Sequence, residues 1–116
     1  MLFHVVLLKP RADLSVEDRQ RFLAAFDRAI RDVPTVRGVR VGTRVRHGAG
    51  YEAVAPDAAD YLAIIEFDDV AGLQTYLRHP SHDELGRLFG TLLAGALVFD
   101  FQMNGAELIM EGLQEV

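Results

Sequence analysis

The sequence predicts an α+β domain built on one four-stranded antiparallel sheet, and three observations carry that prediction. Short apolar runs rich in β-branched residues alternate with longer stretches whose apolar residues recur at helical spacing. Their order along the chain is β-α-β-β-α-β, with the second helical stretch broken by a proline. The first run is apolar on both faces, as a strand buried in mid-sheet should be. The compact arrangement of such elements is the ferredoxin-like layout, with spatial strand order 4-1-3-2 and the helices on one face of the sheet.

Each element has its own signal. Leu2 to Lys9 is a short apolar run ended by Pro10, and alternation sets Leu2, His4, Val6 and Leu8 on one face and Phe3, Val5 and Leu7 on the other. The stretch SVEDRQRFLAAFDRAIRDVP reads as a helix. Ser15 is its N-cap, Glu17 and Asp18 lie where the helix dipole favours acids, and Pro34 ends it. Phe22, Leu23, Phe26, Ile30 and Val33 form its apolar stripe. GVRVGTRVRH alternates, with Val39, Val41, Thr43 and Val45 on one face and Arg40, Arg44 and Arg46 on the other, which suits an edge strand. Residues 47–60 are small, polar and Gly/Pro-containing and read as a loop, and YLAIIEF (61–67) is the third strand.

Asp68 or Asp69 caps the next helix, which carries Leu73, Tyr76 and Leu77 on one face and breaks at Pro80. Ser81 and Glu84 match the S-x-x-E capping box and predict a fresh helix start, running through Leu85, Leu88, Leu92 and Leu93 to a stop at Gly95. Ala96 to Met103 is the fourth strand, with Leu97, Phe99, Phe101 and Met103 opposite Val98, Asp100 and Gln102. The domain therefore spans residues 1–103. Residues 104–116 form a tail, in which Leu108, Ile109, Leu113 and Val116 predict a short helix docked on the domain or its partner. The sheet face away from the helices is apolar as well. A second copy of the chain is its simplest cover, so a homodimer with two sheets face to face is expected.

Composition excludes several functions. At 116 residues the chain suits one domain. Its formal net charge of −5 opposes a nucleic-acid partner, and the cluster Arg37, Arg40, Arg44 and Arg46 reads as a solvated strand face. With no cysteine there is no disulfide, thiolate metal site or cysteine nucleophile. The apolar start MLFHVVLLKP lacks a basic leader and a cleavage site, and no apolar stretch reaches the roughly 20 residues of a membrane helix. A soluble cytoplasmic protein with no membrane partner is expected. Gly42, Gly48 and Gly50 make no phosphate-cradling motif, and no nucleophile elbow occurs, so no nucleotide cofactor is expected.

The residues with chemistry concentrate in YLRHPSHDELG (76–86) and two strands. His82, just after the expected cap, sits at the positive end of a helix, which favours neutral imidazole and so a general base. Tyr76, one turn before the break, offers a hydroxyl to a bound carbonyl or enolate. Its plainer reading is a core tyrosine with its hydroxyl at the rim. His79 packs at the break or caps the preceding helix. His79 and His82 have the H-x-x-H spacing of a metal pair, but Pro80 breaks the helix that would align them and no acidic or cysteine cluster completes a site. No metal is expected. His4 and Asp100 are polar residues in apolar strands and need partners. With the fourth strand beside the first, Asp100 can reach His4 or His82, and a carboxylate holding an imidazole in one tautomer is a familiar acid/base arrangement. A satisfied structural pair is the plainer alternative. His47, at a strand end, reads as solvent-exposed.

The start FHVVLLK with His4, the phrase RGVRVG, IIEFDD leading into the second helix, YLRHPSH and VFDF together resemble the stress-responsive α/β-barrel family (Dabb), over roughly Leu2 to Met103. The resemblance implies a dimeric α+β barrel. One branch of that family comprises plant polyketide cyclases, which close a linear chain by aldol condensation. By that resemblance His82 is the acid/base residue, Tyr76 its hydroxyl partner, and His4 and Asp100 lie in or beside the pocket. The family often has a histidine where this chain has Tyr61, a departure from the cyclase pattern.

Two functions of different kinds stand at this point. The first is a small cofactor-independent enzyme acting on a hydrophobic carbonyl compound. In it His82 is the base, Tyr76 stabilises the enolate and Asp100 or His4 orients the base; Phe22, Phe26, Val39 and Phe101 line the pocket. The second is a non-catalytic stress-related ligand-binding or interaction module with the same pocket. A cofactor-free monooxygenase shares the fold, but the chain has no tryptophan to build the pocket such enzymes use.

Overall fold

The computed structural model describes residues 1–114. Strands β1 (Leu2–Pro10), β2 (Gly38–Thr43), β3 (Tyr61–Phe67) and β4 (Leu93–Gln102) form one antiparallel sheet in the order β2-β3-β1-β4. Helices α1 (Val16–Asp32), α2 (Val70–Arg78) and α3 (Pro80–Leu92) cover one face, and α4 (Glu107–Gln114) follows the last strand. The predicted layout and strand order are those observed.

Register determines which residues share a face. His4 lies opposite Ile65 on β3 and Asp100 on β4, and Val6 lies opposite Ala63 and Val98. Facing residues of antiparallel strands project to the same side. The helix-covered face therefore holds Leu2, His4, Val6 and Leu8, with Ala63, Ile65 and Phe67. Leu2, Ile65 and Phe67 pack with Ala25 and Ala29 of α1, Val33 at its end, and Leu73, Tyr76, Leu85, Leu88 and Leu92 of α2 and α3, while Val6, Leu8 and Ala63 form a second cluster with Phe22, Phe26, Phe89 and Leu93. The buried positions of α1 are alanines, which allow the helix to approach the sheet closely, while Leu23 of the predicted stripe is 65 % exposed. Its neighbour Phe22 takes the sheet-facing position instead.

The break between α2 and α3 differs in detail from the capping-box expectation. Pro80 is the first residue of α3, where its fixed φ and missing N–H cost nothing. The preceding residue is pushed into extended backbone, so His79 (φ −73°, ψ 141°) becomes the N-cap and its Nδ1 accepts the Ser81 N–H at 3.1 Å. Ser81 is not the cap. Its hydroxyl donates to Asp32 Oδ2 at 2.6 Å, while Glu84 accepts from Arg28 at 2.6 Å, so both residues of the supposed box tie α3 to α1. At the α1 and α2 starts the expected caps form: Ser15 accepts from Asp18 N and Asp69 from Gly72 N.

Two further expectations are corrected and a third is narrowed. α3 ends at Leu92 and β4 begins at Leu93, because pairing with Lys9 and Pro10 of β1 draws Gly95 and Leu93 into the sheet. β2 stops at Thr43, leaving Arg44 to His47 in the loop. The tail does form a helix, but Leu108, Ile109, Met110 and Leu113 are all exposed, so α4 does not dock on its own domain. Val116 lies outside the described residues. The basic cluster is neutralised locally: Arg37 pairs with Asp68, Arg40 with Glu66, and Arg44 and Arg46 with Asp57. Among the described residues, no helix is long and apolar enough to cross a membrane.

Candidate active site

Tyr76 is the hub of the site. It lies in the last turns of α2, is 1 % exposed, and packs its ring against Phe67, His4 and His82. The Tyr76 and His82 ring centroids are 4.8 Å apart in an edge-on arrangement. The His4 ring is 5.9 Å from Tyr76 on the other side. His82 reaches this position because Pro80 starts α3 two residues earlier; as the third helical residue, His82 follows the turn that points its side chain back toward Tyr76.

His4 is the buried polar residue of β1, and the β1–β4 register answers its need for a partner. Its Nδ1 lies 2.6 Å from Asp100 Oδ1, directly across the strand pair. Asp100 therefore serves His4 rather than His82. A carboxylate accepting from Nδ1 keeps the proton of neutral His4 on that nitrogen and leaves Nε2 as an acceptor. Asp100 itself stands at the sheet edge with its side chain 41 % exposed, which lowers the cost of keeping it charged.

The protonation tendencies of the pair diverge. Burial pushes the Tyr76 phenol up to about 12, so it remains a neutral donor at any physiological pH. His82 is pushed below the usual imidazole value, first by burial and then by the positive charge that His4 can carry; Asp83 and the Leu77 carbonyl pull more weakly the other way. A neutral imidazole beside a protonated phenol is the state a base and an oxyanion donor require.

Both rings open onto a cavity of about 240 Å³ between the sheet and α1, α2 and α3. Its walls are His4, Val6, Leu8, Ala63 and Ile65 from the sheet, Phe26 from α1, and Leu77, Leu85, Gly86 and Phe89 around Tyr76 and His82, with Val98 from β4. A second chamber of about 370 Å³ lies toward the β2 edge, and Leu8, Phe26 and Ala63 line both chambers.

Of the predicted pocket residues, Phe26 lines both chambers and Phe22 lines the second. Val39 and Phe101 line neither. Val39 sits opposite Ile65 on the edge strand and packs into the core beneath α1. Phe101 projects away from the helices because its neighbour Asp100 projects toward them, and it is half-exposed on the open face. Phe89, Gly86 and Leu85 are pocket residues that the sequence analysis does not assign to it, although they recur at helical spacing from His82 on one side of α3. Tyr61, at the departure from the cyclase pattern, lines the second chamber. His79 is occupied as a cap, and His47 is exposed with its Nε2 2.9 Å from the Tyr51 hydroxyl. No group of side chains among the described residues is arranged to hold a metal ion.

The profile of one protein family, described as the stress responsive A/B barrel domain (Dabb), matches residues 2–103. The chain belongs to this family. Olivetolic acid cyclase from Cannabis sativa is 20 % identical over 98 residues, 84 % of this chain and 92 % of the cyclase. Among solved structures, hydroxynitrile lyase from Passiflora edulis superposes with a TM-score of 0.73 at 18 % identity, over 90 % of this chain and 94 % of the lyase. A dimeric ferredoxin-like protein of unknown function from Jannaschia sp. superposes with a TM-score of 0.70 at 24 % identity, over 88 % and 98 %. At these identities the structural likeness establishes a shared fold and no more.

Proposed function

We propose that this Dabb protein is a homodimer that binds a hydrophobic carbonyl compound and moves a proton at the carbon beside the carbonyl. The observation that carries the reading is the Tyr76–His82 pair on the wall of an apolar cavity, with the imidazole held toward its neutral form and the phenol toward its protonated form. His82 takes the proton from the α-carbon. The C–H electron pair becomes the enolate double bond, and the carbonyl oxygen takes up the charge against the Tyr76 hydroxyl. His4, oriented by Asp100, adds a second imidazole edge to the same wall. The enolate carbon can then regain a proton or attack a second carbonyl of the same molecule, closing a ring. That one relative is named a cyclase and another a hydroxynitrile lyase is consistent with a family scaffold that hosts chemistry on small organic molecules. Dimeric neighbours support the homodimer, and the apolar open face of the sheet supplies a surface for it.

Deuterium uptake at the α-carbon of a medium-chain methyl ketone, followed by NMR in D2O, tests this reading. The wild-type protein is expected to accelerate exchange. His82→Gln should reduce the acceleration by about 10²-fold or more, and Tyr76→Phe by a smaller factor. If the ketone binds but exchanges at the buffer rate, the protein is a binding module without turnover.

A further inference from the structure

The chamber beside the proposed reaction site has a charge pattern of its own. Its apolar walls come from Leu8, Leu14, Phe22, Phe26, Leu92 and Leu93. Its only charged lining residues among the described ones are Arg11 and Arg19, both cationic. Among the described residues no carboxylate lines either chamber, although acids outnumber bases in the chain by 17 to 12. Arg11 is engaged, by Asp13 at 3.2 Å and by the Thr91 carbonyl at 3.1 Å. Arg19, on the first turns of α1, has no ion-pair partner among the described residues, while its neighbours Arg21, Arg28 and Arg31 all do. Tyr61, half-exposed on the same chamber, offers a phenolic hydroxyl.

We propose that the second chamber binds the acidic end of an amphiphilic ligand. Its apolar body lies along Phe22, Phe26 and Leu8, and its carboxylate is held by Arg19 with Arg11 and Tyr61. A guanidinium presents a planar fork that matches a carboxylate in two parallel hydrogen bonds, and an unpaired arginine at the rim of an apolar groove suits such a group. The volume of about 370 Å³ lies within the range of small-molecule sites, roughly 300–1,000 Å³. The two chambers share the wall formed by Leu8, Phe26 and Ala63, and one molecule lying along that wall would carry its carbonyl toward Tyr76 and His82 and its acid toward Arg19. This inference rests on the proposed reading of the first chamber and narrows its substrate class to hydrophobic acids that also carry a carbonyl.

Octanoate and 1-octanol are the probes. They have the same chain length and differ in charge. Binding of each to the full chain at pH 7.5 is measured by calorimetry, with the His82 ring resonances followed by NMR. Octanoate is expected to bind about tenfold or more tighter than 1-octanol, a preference that shrinks with added salt. The double variant Arg11→Gln/Arg19→Gln should bring the two affinities within about twofold, while His82→Gln keeps the preference. Both arginines are exposed, and a thermal melt confirms that the double variant folds. Octanoate binding no tighter than 1-octanol, or a preference that survives the double variant, overturns the anion site. In those cases a shift of the His82 resonances by 1-octanol still leaves the carbonyl cavity standing. If neither probe binds or moves His82, both readings fail together.

Discussion

The two faces of the sheet invert the usual economy of a strand, and β4 shows it within three residues. Asp100 points under the helix layer, where it meets a buried histidine. Phe99 and Phe101 point away from it and stand about half exposed, with their rings 6.3 Å apart. On the same side lie Phe3, Val5 and Leu7 of β1 and Leu62 and Ile64 of β3. Charges on that side sit at its margins, Arg40 with Glu66 and Lys9 with Asp57, and Arg40 also stacks over Phe3. Solvent-facing strands normally carry their polar residues outward. On β4 the carboxylate of Asp100 goes inward to His4 and the two phenylalanines go outward. On the proposed reading, chemistry belongs to the covered face and assembly to the open one.

The largest expected effect comes from spoiling the open face. Phe99→Asp with Phe101→Asp should turn a dimer into a monomer, measured by light scattering on a sizing column. Each phenylalanine buried in an interface contributes roughly 1.5–3 kcal/mol, and two-fold symmetry counts each change twice. The dimer dissociation constant should therefore rise on the order of a thousandfold or more. A wild-type chain that is already monomeric at micromolar concentration removes the assembly half of the contrast.

How much of this contrast was legible beforehand depends on which residues are asked. Alternation alone separates Asp100 from Phe99 and Phe101, and the β-α-β-β-α-β order brings β4 beside β1. Register is the missing quantity. It depends on where a strand starts, and β4 starts at Leu93, earlier than the glycine at position 95 suggested. So Asp100 could be directed at His4 or His82 from sequence, and only the pairing His4 with Asp100 decides between them. Phe101 was assigned to the pocket against the alternation of its own strand. Val39 shares the covered face but sits near the sheet edge, and a strand's position along that edge is not written in its residue types. The cap of α3 was misassigned because S-x-x-E is a common local pattern, whereas Pro80 imposes the start by covalent geometry. Tyr76 and His82 came together because two short helices meet at that proline, a juxtaposition that local spacing could capture.

A smaller effect sharpens the covered side. Asp100→Asn removes the charge that holds His4 Nδ1, at a cost of about 1 kcal/mol, since a half-exposed carboxylate is partly screened. The charge that His4 can carry is one of the causes holding His82 low, so a substitution that disturbs His4 should register as a movement of the His82 pKa toward the ordinary imidazole value. An NMR titration of the histidine ring protons measures both residues at once. An unmoved His82 would separate the Asp100–His4 pair from the proposed base. The same titration bears on stability. The folded His82 resists protonation, so the unfolded chain binds more protons as pH falls from neutrality. Its contribution to stability is complete above about 6.5 and is lost as pH drops through the lower folded value. His82→Gln should remove that slope from the melting temperature between pH 7 and 5.

The smallest effect is expected at the tail, which neither face claims within one chain. Leu108, Ile109, Met110 and Leu113 of α4 are between 52 % and 68 % exposed, and the family profile stops at residue 103. A helix that buries so little contributes little to its own domain, because ordering it costs backbone entropy that no contact offsets. A chain truncated after Met103 keeps the bond from Met103 N to the Met1 carbonyl that closes the end of the sheet. Its melting temperature should change by no more than about 2 °C, corresponding to under about 0.5 kcal/mol. Measured alongside the dimer constant, that truncation distinguishes two positions for the apolar stripe of α4. An unchanged constant places the stripe in solvent. A weakened dimer with an unchanged melting temperature at high protein concentration extends the assembly face from β4 into the tail, because the only surface left for α4 to cover would belong to a second copy.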